Sequence, residues 1–257
     1  MRGPSQKIAE RESVPKKSSG WGDTIKTVVY AALIAVFVRA LAYEPFNIPS
    51  GSMIPTLLVG DYLFVSKLSY GYSRHSMPFS WPPFQGRIFS SQPERGDVAV
   101  FKLPTDNKTD YIKRIIGLPG DRIQVRGGVL HINGKAVKRH RVSDWVARND
   151  YGRTVRKARY VETLPNGRTH FIIEESDNGP LDNTPLYVVP KNHYFAMGDN
   201  RDNSLDSRTR NVGFIPAENL VGRADVLFFS VNGAARLWEI WKWPDSIRFS
   251  RLLKGID

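Results

Sequence analysis

The chain has 257 residues, 41% hydrophobic and 24% charged, enough to bury a core in one or two domains and too apolar for a disordered protein. It has no cysteine, which excludes disulfide and thiolate chemistry. Its five histidines, His75, His131, His140, His170 and His193, lack the spacing of a zinc site, so neither metal nor cofactor is expected. The net charge of +12 points to an anionic partner, lipid or nucleic acid, without choosing between them.

Residues 1–23 open the chain as a polar tail carrying Pro4, Pro15, Lys16 and Lys17, the composition of a disordered segment. Residues 24–43 are the candidate transmembrane helix. The apolar heart, Val28 to Val38, is by itself too short for a hydrocarbon layer of ~30 Å at ~1.5 Å per residue. Extending it from Ile25 to Phe46 supplies the length and leaves Lys26 and Arg39 near the ends, where long cations reach the interface. Arg2, Lys7, Arg11, Lys16 and Lys17 precede the segment, whereas Glu44 to Asp61 carries no Lys or Arg. By the positive-inside rule the N-terminus is cytoplasmic, the chain crosses once, and the large C-terminal part lies outside. No small-residue cleavage site follows the apolar run, which argues for an anchor over a removable signal.

Directly after the anchor comes Asn47-Ile48-Pro49-Ser50-Gly51-Ser52-Met53-Ile54-Pro55-Thr56-Leu57. Pro49 and Pro55 oppose a continuous helix, and Gly51 permits a tight turn or a close approach. Alone, Pro-Ser-Gly-Ser is a turn. A serine in so rigid a turn becomes a candidate nucleophile only if a base lies elsewhere.

The remainder reads as β-rich. Short strands are expected at Asp61–Lys67, Asp97–Lys102, Tyr111–Ile116, Ile123–Val125 and Val129–Ile132, with Asn133-Gly134 as a hairpin turn. Further strands follow at Tyr194–Met197, Val212–Pro216 and Leu220–Ser230. Tyr70 to Pro93, with Met77, Phe79, Trp81 and Phe84, reads as an extended loop whose aromatics could touch lipid. Residues 44–134 and 190–236 are taken as a β core and 135–189 as an inserted β subdomain, its basic run Arg153 to Arg159 being a solvated face. Residues 237–257 form a basic, Trp-rich tail.

With no cysteine, and no histidine in a catalytic pattern, the base for a serine would be a neutral lysine. Lys113 is the candidate, because it interrupts an apolar strand, Ile112-Lys113-Arg114-Ile115-Ile116; strict alternation turns Ile112 and Arg114 to the opposite face. At its ordinary pKa of ~10.4 it would be neutral in about one molecule in a thousand near pH 7.5, so burial has to lower it. A lone strand lysine can equally be an edge residue that snorkels.

Four segments in order carry a resemblance: Pro49 to Leu57, Arg95-Gly96-Asp97-Val98, Asp110-Tyr111-Ile112-Lys113-Arg114 through Gly117-Leu118-Pro119-Gly120-Asp121, and Gly198-Asp199-Asn200-Arg201-Asp202-Asn203-Ser204-Leu205-Asp206-Ser207-Arg208. Together they resemble the boxes of the bacterial type I signal peptidase, or leader peptidase, family, over about Glu44 to Ser230. The resemblance implies a mainly β fold: a β-barrel or sandwich catalytic core with an inserted β subdomain, preceded by one transmembrane helix. It implies a membrane-anchored serine endopeptidase with a Ser-Lys dyad, removing signal peptides from exported preproteins after small residues. Ser52 then matches the nucleophile and Lys113 the general base. Ser50 and the Ser52 N–H match the oxyanion hole, Ser204 the residue orienting the lysine, and Asp206 and Arg208 a supporting ion pair. Phe46, Ile48, Leu57 and Ile112 match the apolar pockets for an Ala-x-Ala type site. The implied partners are preproteins and the lipid bilayer, with no nucleic acid and activity as a monomer. The implied place is the bacterial inner membrane, with the catalytic domain on the periplasmic side. The family often has two N-terminal spans where this chain shows one.

Rival classes are a basic β-barrel nucleic-acid-binding module, which the anchor and its uncharged flank oppose, and a self-cleaving repressor-type protease, for which residues 1–45 offer no DNA-binding domain. A catalytically dead scaffold is opposed by the presence of all four polar positions.

Overall fold

The computed structural model describes residues 21–77, 84–148, 153–232 and 239–256. The expected tail up to residue 20, the loop residues Phe79 and Trp81, and the start of the C-terminal segment lie outside these. The described chain divides into two units after Phe37.

The first helix, α1, runs Trp21–Leu41, two or three residues earlier at each end than the expected span. Its Trp21–Arg39 stretch has a mean hydropathy of 1.5, long and apolar enough to cross a membrane. Apolar side chains around its whole circumference, from Trp21 to Val38, are exposed. A core helix of a soluble protein would bury one face.

The larger unit is built from strands. In chain order they are β1 (Tyr43–Asn47), β2 (Asp61–Ser66), β3 (Val98–Lys102), β4 (Asp110–Gly117), β5 (Arg122–Arg126), β6 (Val129–Ile132), β7 (Lys135–Ala136) and β8 (Lys138–Arg141). There follow β9 (Trp145–Arg148), β10 (Thr154–Thr163), β11 (Thr169–Glu174), β12 (Tyr187–Val188), β13 (His193–Met197), β14 (Ile215–Pro216), β15 (Leu220–Ser230) and β16 (Lys254–Gly255). The main sheet has the order β1-β2-β15-β3-β4-β13-β14, with β16 added to β15; β1 and β14 lie at its two ends. The long strand β15 bridges β2 and β3, and irregularities in its register let one strand bend and serve both.

Alternation explains the core. On β2, Leu63 and Val65 point inward and meet Val98, Val100, Val221, Ala224 and Leu227. Met53 and Leu57 of the serine segment enter the same cluster, each fully buried. Two such side chains stabilise by roughly 1.5–3 kcal/mol apiece, so the loop is nailed to the core on both sides of Thr56.

A second sheet, β12-β5-β6-β7, packs Ile123, Val125, Leu130 and Ile132 against Phe195 and Met197 of β13. Asn133 and Gly134 take positive φ, 53° and 80°, and make the expected hairpin turn between β6 and β7. The expected domain boundary at 134/135 therefore falls inside a hairpin. A third sheet, β11-β10-β8 with β9 on β10, holds the basic run. It is stitched to the segment after β13: Ile173 N–H donates to the Asp199 carbonyl at 2.9 Å and Arg201 N–H to the Ile173 carbonyl at 3.0 Å.

Two expectations shift. Val212–Pro216 is a strand only at Ile215–Pro216, although Val212 is buried. The described part of the C-terminal segment is no loose tail. Trp243 packs on Phe229 with ring centroids 4.9 Å apart, and β16 pairs Val226 and Leu227, while Trp241 stays exposed. The Tyr70–Pro93 loop is likewise pinned: Arg87 donates to the carbonyls of Tyr70, Ala217 and Leu220 at 3.0, 2.9 and 2.7 Å.

Candidate active site

Residues Ile48 to Asp61 form a loop closed at its base, where Ile48 N–H donates to the Asp61 carbonyl at 2.8 Å and Gly60 N–H to the Ile48 carbonyl at 3.0 Å. The prolines oppose a helix, and the segment is instead a run of turns, Ile54 N–H donating to the Gly51 carbonyl at 3.2 Å, Leu57 N–H to the Met53 carbonyl at 2.9 Å and Asp61 N–H to the Leu58 carbonyl at 3.0 Å. Gly51 keeps an ordinary φ, and a Cβ there would meet Ile54 Cδ1 at 3.0 Å, tight enough that this side chain would have to shift slightly.

This loop sets Ser52 against Lys113 of β4. The Lys113 amine hydrogen-bonds Ser52 Oγ at 2.8 Å and donates to its neighbour's carbonyl, Ile112 O, at 2.8 Å. Ser52 is 8% and Lys113 4% exposed. Burial pushes the amine down to about 8 from the ordinary 10.5, with Asp206 and Asp199 pulling the other way. Those carboxylates are already paired, Asp199 with Arg114 and Asp206 with Arg208, and neither reaches the lysine. Burial raises both, and the paired guanidinium together with the further hydrogen bonds each carboxyl accepts holds it below the ordinary range. Burial thus raises the neutral fraction of Lys113 near pH 7.5 far above that of a free lysine.

Ser50, on the exposed side of the turn, has its Oγ 3.5 Å from Ser52 Oγ. The Ser52 N–H has no acceptor among the described residues. Around both lies a cleft of about 510 Å³ lined by Phe46, Ile48, Ser50, Ser52, Ile112 and Lys113, and also by Val100, Asp110, Tyr111, Asn203 and Leu205. Ile112 and Lys113 both face it despite their opposite parity. The reason is that Asp110 to Lys113 pair with β3 alone, β13 starting only at Arg114, so the cleft wraps a free strand edge. Leu57 is not part of this lining; it is fully buried below the loop with Met53.

The polar knot after β13 holds the serine loop from behind. Asn200 N–H donates to the Ser52 carbonyl at 3.1 Å and its side-chain amide to Gly51 O at 3.0 Å. Arg114 binds Asp199 through two bonds of 2.9 Å, and Thr56 Oγ1 donates to the same carboxylate. Asp206 takes Arg208 through bonds of 2.9 and 2.8 Å and accepts from Gly198 N–H at 3.0 Å. Gly198 in turn lies against Ser204 and the Ser52 carbonyl. Ser204 differs from expectation: it is buried beside this glycine, but its Oγ has no hydrogen-bond partner, and the lysine amine bonds Ser52 and Ile112 instead. Thr56, Asn200 and the Arg114–Asp199 pair were present in the quoted segments, yet no spacing distinguishes a loop clamp from any other polar turn.

The signal peptidase, peptidase S26, family model matches residues 21–229. The chain belongs to that family. Signal peptidase I of Rickettsia typhi is 41% identical over 244 residues, covering 88% of this chain and 90% of that protein. Signal peptidase I of Rickettsia conorii is 39% identical over 253 residues, 92% of each. A crystal structure of a signal peptidase I from Enterococcus faecalis is 28% identical, covering 52% of this chain and 97% of that one, with a TM-score of 0.30. The peptidase S26 match spans α1, the serine loop, β4 and the knot after β13, and therefore all the groups brought together at the cleft.

Proposed function

We propose that Ser52 is the nucleophile and Lys113 the general base of this peptidase. As a member of the signal peptidase family the chain is a serine endopeptidase that removes signal peptides from preproteins. The observation that carries the residue assignment is the 2.8 Å contact between the Lys113 amine and Ser52 Oγ in a buried, open-mouthed cleft.

The neutral amine takes the Ser52 proton as Oγ bonds to the scissile carbonyl carbon. The oxyanion receives the Ser52 N–H and the Ser50 hydroxyl, each donor being worth ~3 kcal/mol where water is excluded. The Lys113 ammonium then protonates the leaving amine, which departs as the new N-terminus of the mature protein. A water deprotonated by Lys113 hydrolyses the acyl-serine and returns the proton inventory to its start. Asp206, Arg208 and Ser204 shape the pocket through Gly198.

The free edge of Asp110 to Lys113, with the unpaired edge of β1 across the cleft, supports an extended substrate that adds main-chain hydrogen bonds. Phe46, Ile48 and Ile112 support small apolar side chains on either side of the cut. The exposed apolar surface of α1 and the charge bias of its flanks support a bilayer anchor with the N-terminus cytoplasmic and the catalytic unit across the inner membrane. One chain contains every group named, which supports activity as a monomer.

The test is incubation of the detergent-solubilised chain with a preprotein, the cut located by mass spectrometry. Cleavage after a small residue that disappears in Ser52→Ala and in Lys113→Met is expected. Processing at the wild-type rate by either variant would remove the dyad.

A further inference from the structure

Thr56 is held twice, and the second hold comes from the far end of the chain. Arg251 lies in a short 3₁₀ turn, Phe249–Arg251, that precedes β16. Its side chain is 13% exposed. From there it donates to the Thr56 carbonyl at 2.9 Å and, through two nitrogens, to the carboxylate of Asp61, the Nε bond being 3.0 Å. Asp61 is wholly buried, and its carboxylate also accepts from Leu58 N–H at 2.7 Å and Ser230 Oγ at 2.7 Å. Its backbone carbonyl closes the loop on Ile48.

We infer that Arg251 is a positioning residue for the peptidase reaction, fixing the limb of the serine loop from Thr56 to Asp61 and, through it, the placement of Ser52. This rests on Ser52 being the nucleophile. The Arg114–Asp199 pair holds Thr56 by its hydroxyl, Arg251 holds it by its carbonyl, and Asp61 ties the end of the limb to its beginning. Three bonds from one planar guanidinium define a direction as well as a distance, which a flexible ammonium does not reproduce. Without it, the two anchors Met53 and Leu57 still bury, so the loop remains folded. The turn from Leu58 to Asp61 keeps Arg248 on the Val59 carbonyl and the Val231 N–H on the Gly60 carbonyl, but Thr56 and Asp61 lose the partner they share, and Ser52 Oγ is no longer held at hydrogen-bond distance from Lys113.

The experiment compares wild type, Arg251→Ala, Arg251→Lys and Ser52→Ala as full chains in detergent, measuring preprotein cleavage and thermal unfolding. Rates are taken well below each variant's own unfolding midpoint, so that loss of folded protein does not enter. Arg251→Ala is expected to lower kcat by about tenfold with KM within about twofold, the mark of misplaced reacting groups in an intact cleft. Arg251→Lys, able to reach one acceptor, is expected to recover part of the loss. A folded Arg251→Ala enzyme with wild-type kcat overturns the inference. Should Arg251→Ala fail to fold, Arg251→Lys decides: a reduced kcat supports the positioning role, and a wild-type kcat overturns it. Wild-type cleavage by Ser52→Ala would instead overturn the assignment of the nucleophile, and this inference with it; a dead Ser52→Ala beside an unaffected Arg251→Ala overturns the inference alone.

Discussion

Asn200 grips the main chain at Ser52 from behind, its N–H on the Ser52 carbonyl at 3.1 Å and its amide on the preceding carbonyl of Gly51 at 3.0 Å. Asn200→Ala keeps the first bond and deletes the second. Loss of one part-buried hydrogen bond costs about 0.5–1.5 kcal/mol of stability, and the freed turn is expected to show a kcat lowered by about tenfold in preprotein cleavage. Asn200→Asp is expected to be worse, because a carboxylate oxygen not only fails to donate but is repelled by the Gly51 carbonyl oxygen it faces. An Asn200→Asp enzyme more active than Asn200→Ala would contradict the clamp.

The pH profile follows from Lys113. Only the neutral amine accepts the serine proton, so kcat/KM is expected to rise with pH through about 8 and level above it. The same shift bears on stability. The folded state holds the amine at about 8 and the unfolded chain at 10.5, so between those values the unfolded chain binds more protons and stability rises with pH. Below pH 8 the buried lysine costs about 3 kcal/mol, partly returned by its hydrogen bonds. Lys113→Met is therefore expected to be inactive yet at least as stable as wild type at pH 7, its advantage shrinking toward pH 10. A Lys113→Met protein that melts well below wild type at pH 7 would show that the lysine is not held at a cost.

Gly198 has no room for a side chain. A Cβ there would stand 2.2 Å from Ser204 Oγ and 2.5 Å from the Ser52 carbonyl. Gly198→Ala is expected to displace the serine and to lower kcat by about a hundredfold, an effect of a misplacement near 1 Å. Pairing it with Ser204→Ala relieves one of the contacts but not the carbonyl clash, so the double variant is expected to stay impaired; wild-type kcat in Gly198→Ala would place the constraint elsewhere.

Ser50 and Ser204 should separate in kinetics. Removal of an oxyanion donor costs about 10²–10³ in kcat, so Ser50→Ala is expected in that range with KM little changed. Ser204 Oγ has no hydrogen-bond partner among the described residues, and Ser204→Ala is expected to cost less activity than Ser50→Ala or Lys113→Met. Preprotein cleavage by the two single variants, measured side by side, would refute this order if Ser204→Ala were the slower.

Much of this site was legible before any coordinates because its parts are local in sequence. Pro49, Gly51 and Pro55 write a turn, and a lysine inside the apolar run of β4 offers a candidate base. Strand positions followed from period-two alternation on β2 and β5, from the short apolar run of β3 and from the Asn133-Gly134 turn. Other features depend on which distant groups meet. Nothing near Leu57 says that it packs below the loop instead of lining the cleft. Parity on β4 placed Ile112 away from Lys113, and only the late start of β13 exposes both. Arg251 sits in a basic stretch with no motif, and its role becomes visible only when Asp61 and Thr56 are seen to receive it.

The clamps on the serine loop come from late in the chain: Asn200 is 149 residues beyond Gly51, and Arg251 is 195 beyond Thr56. A ribosome-bound chain that has emerged only as far as β4 owns the serine, the lysine and the local closure of the loop, but neither of these clamps. On the proposed roles of Ser52 and Lys113, the serine loop is fully clamped only once Arg251 has been made and has folded back onto Thr56 and Asp61, so full proteolytic competence is expected late in biosynthesis.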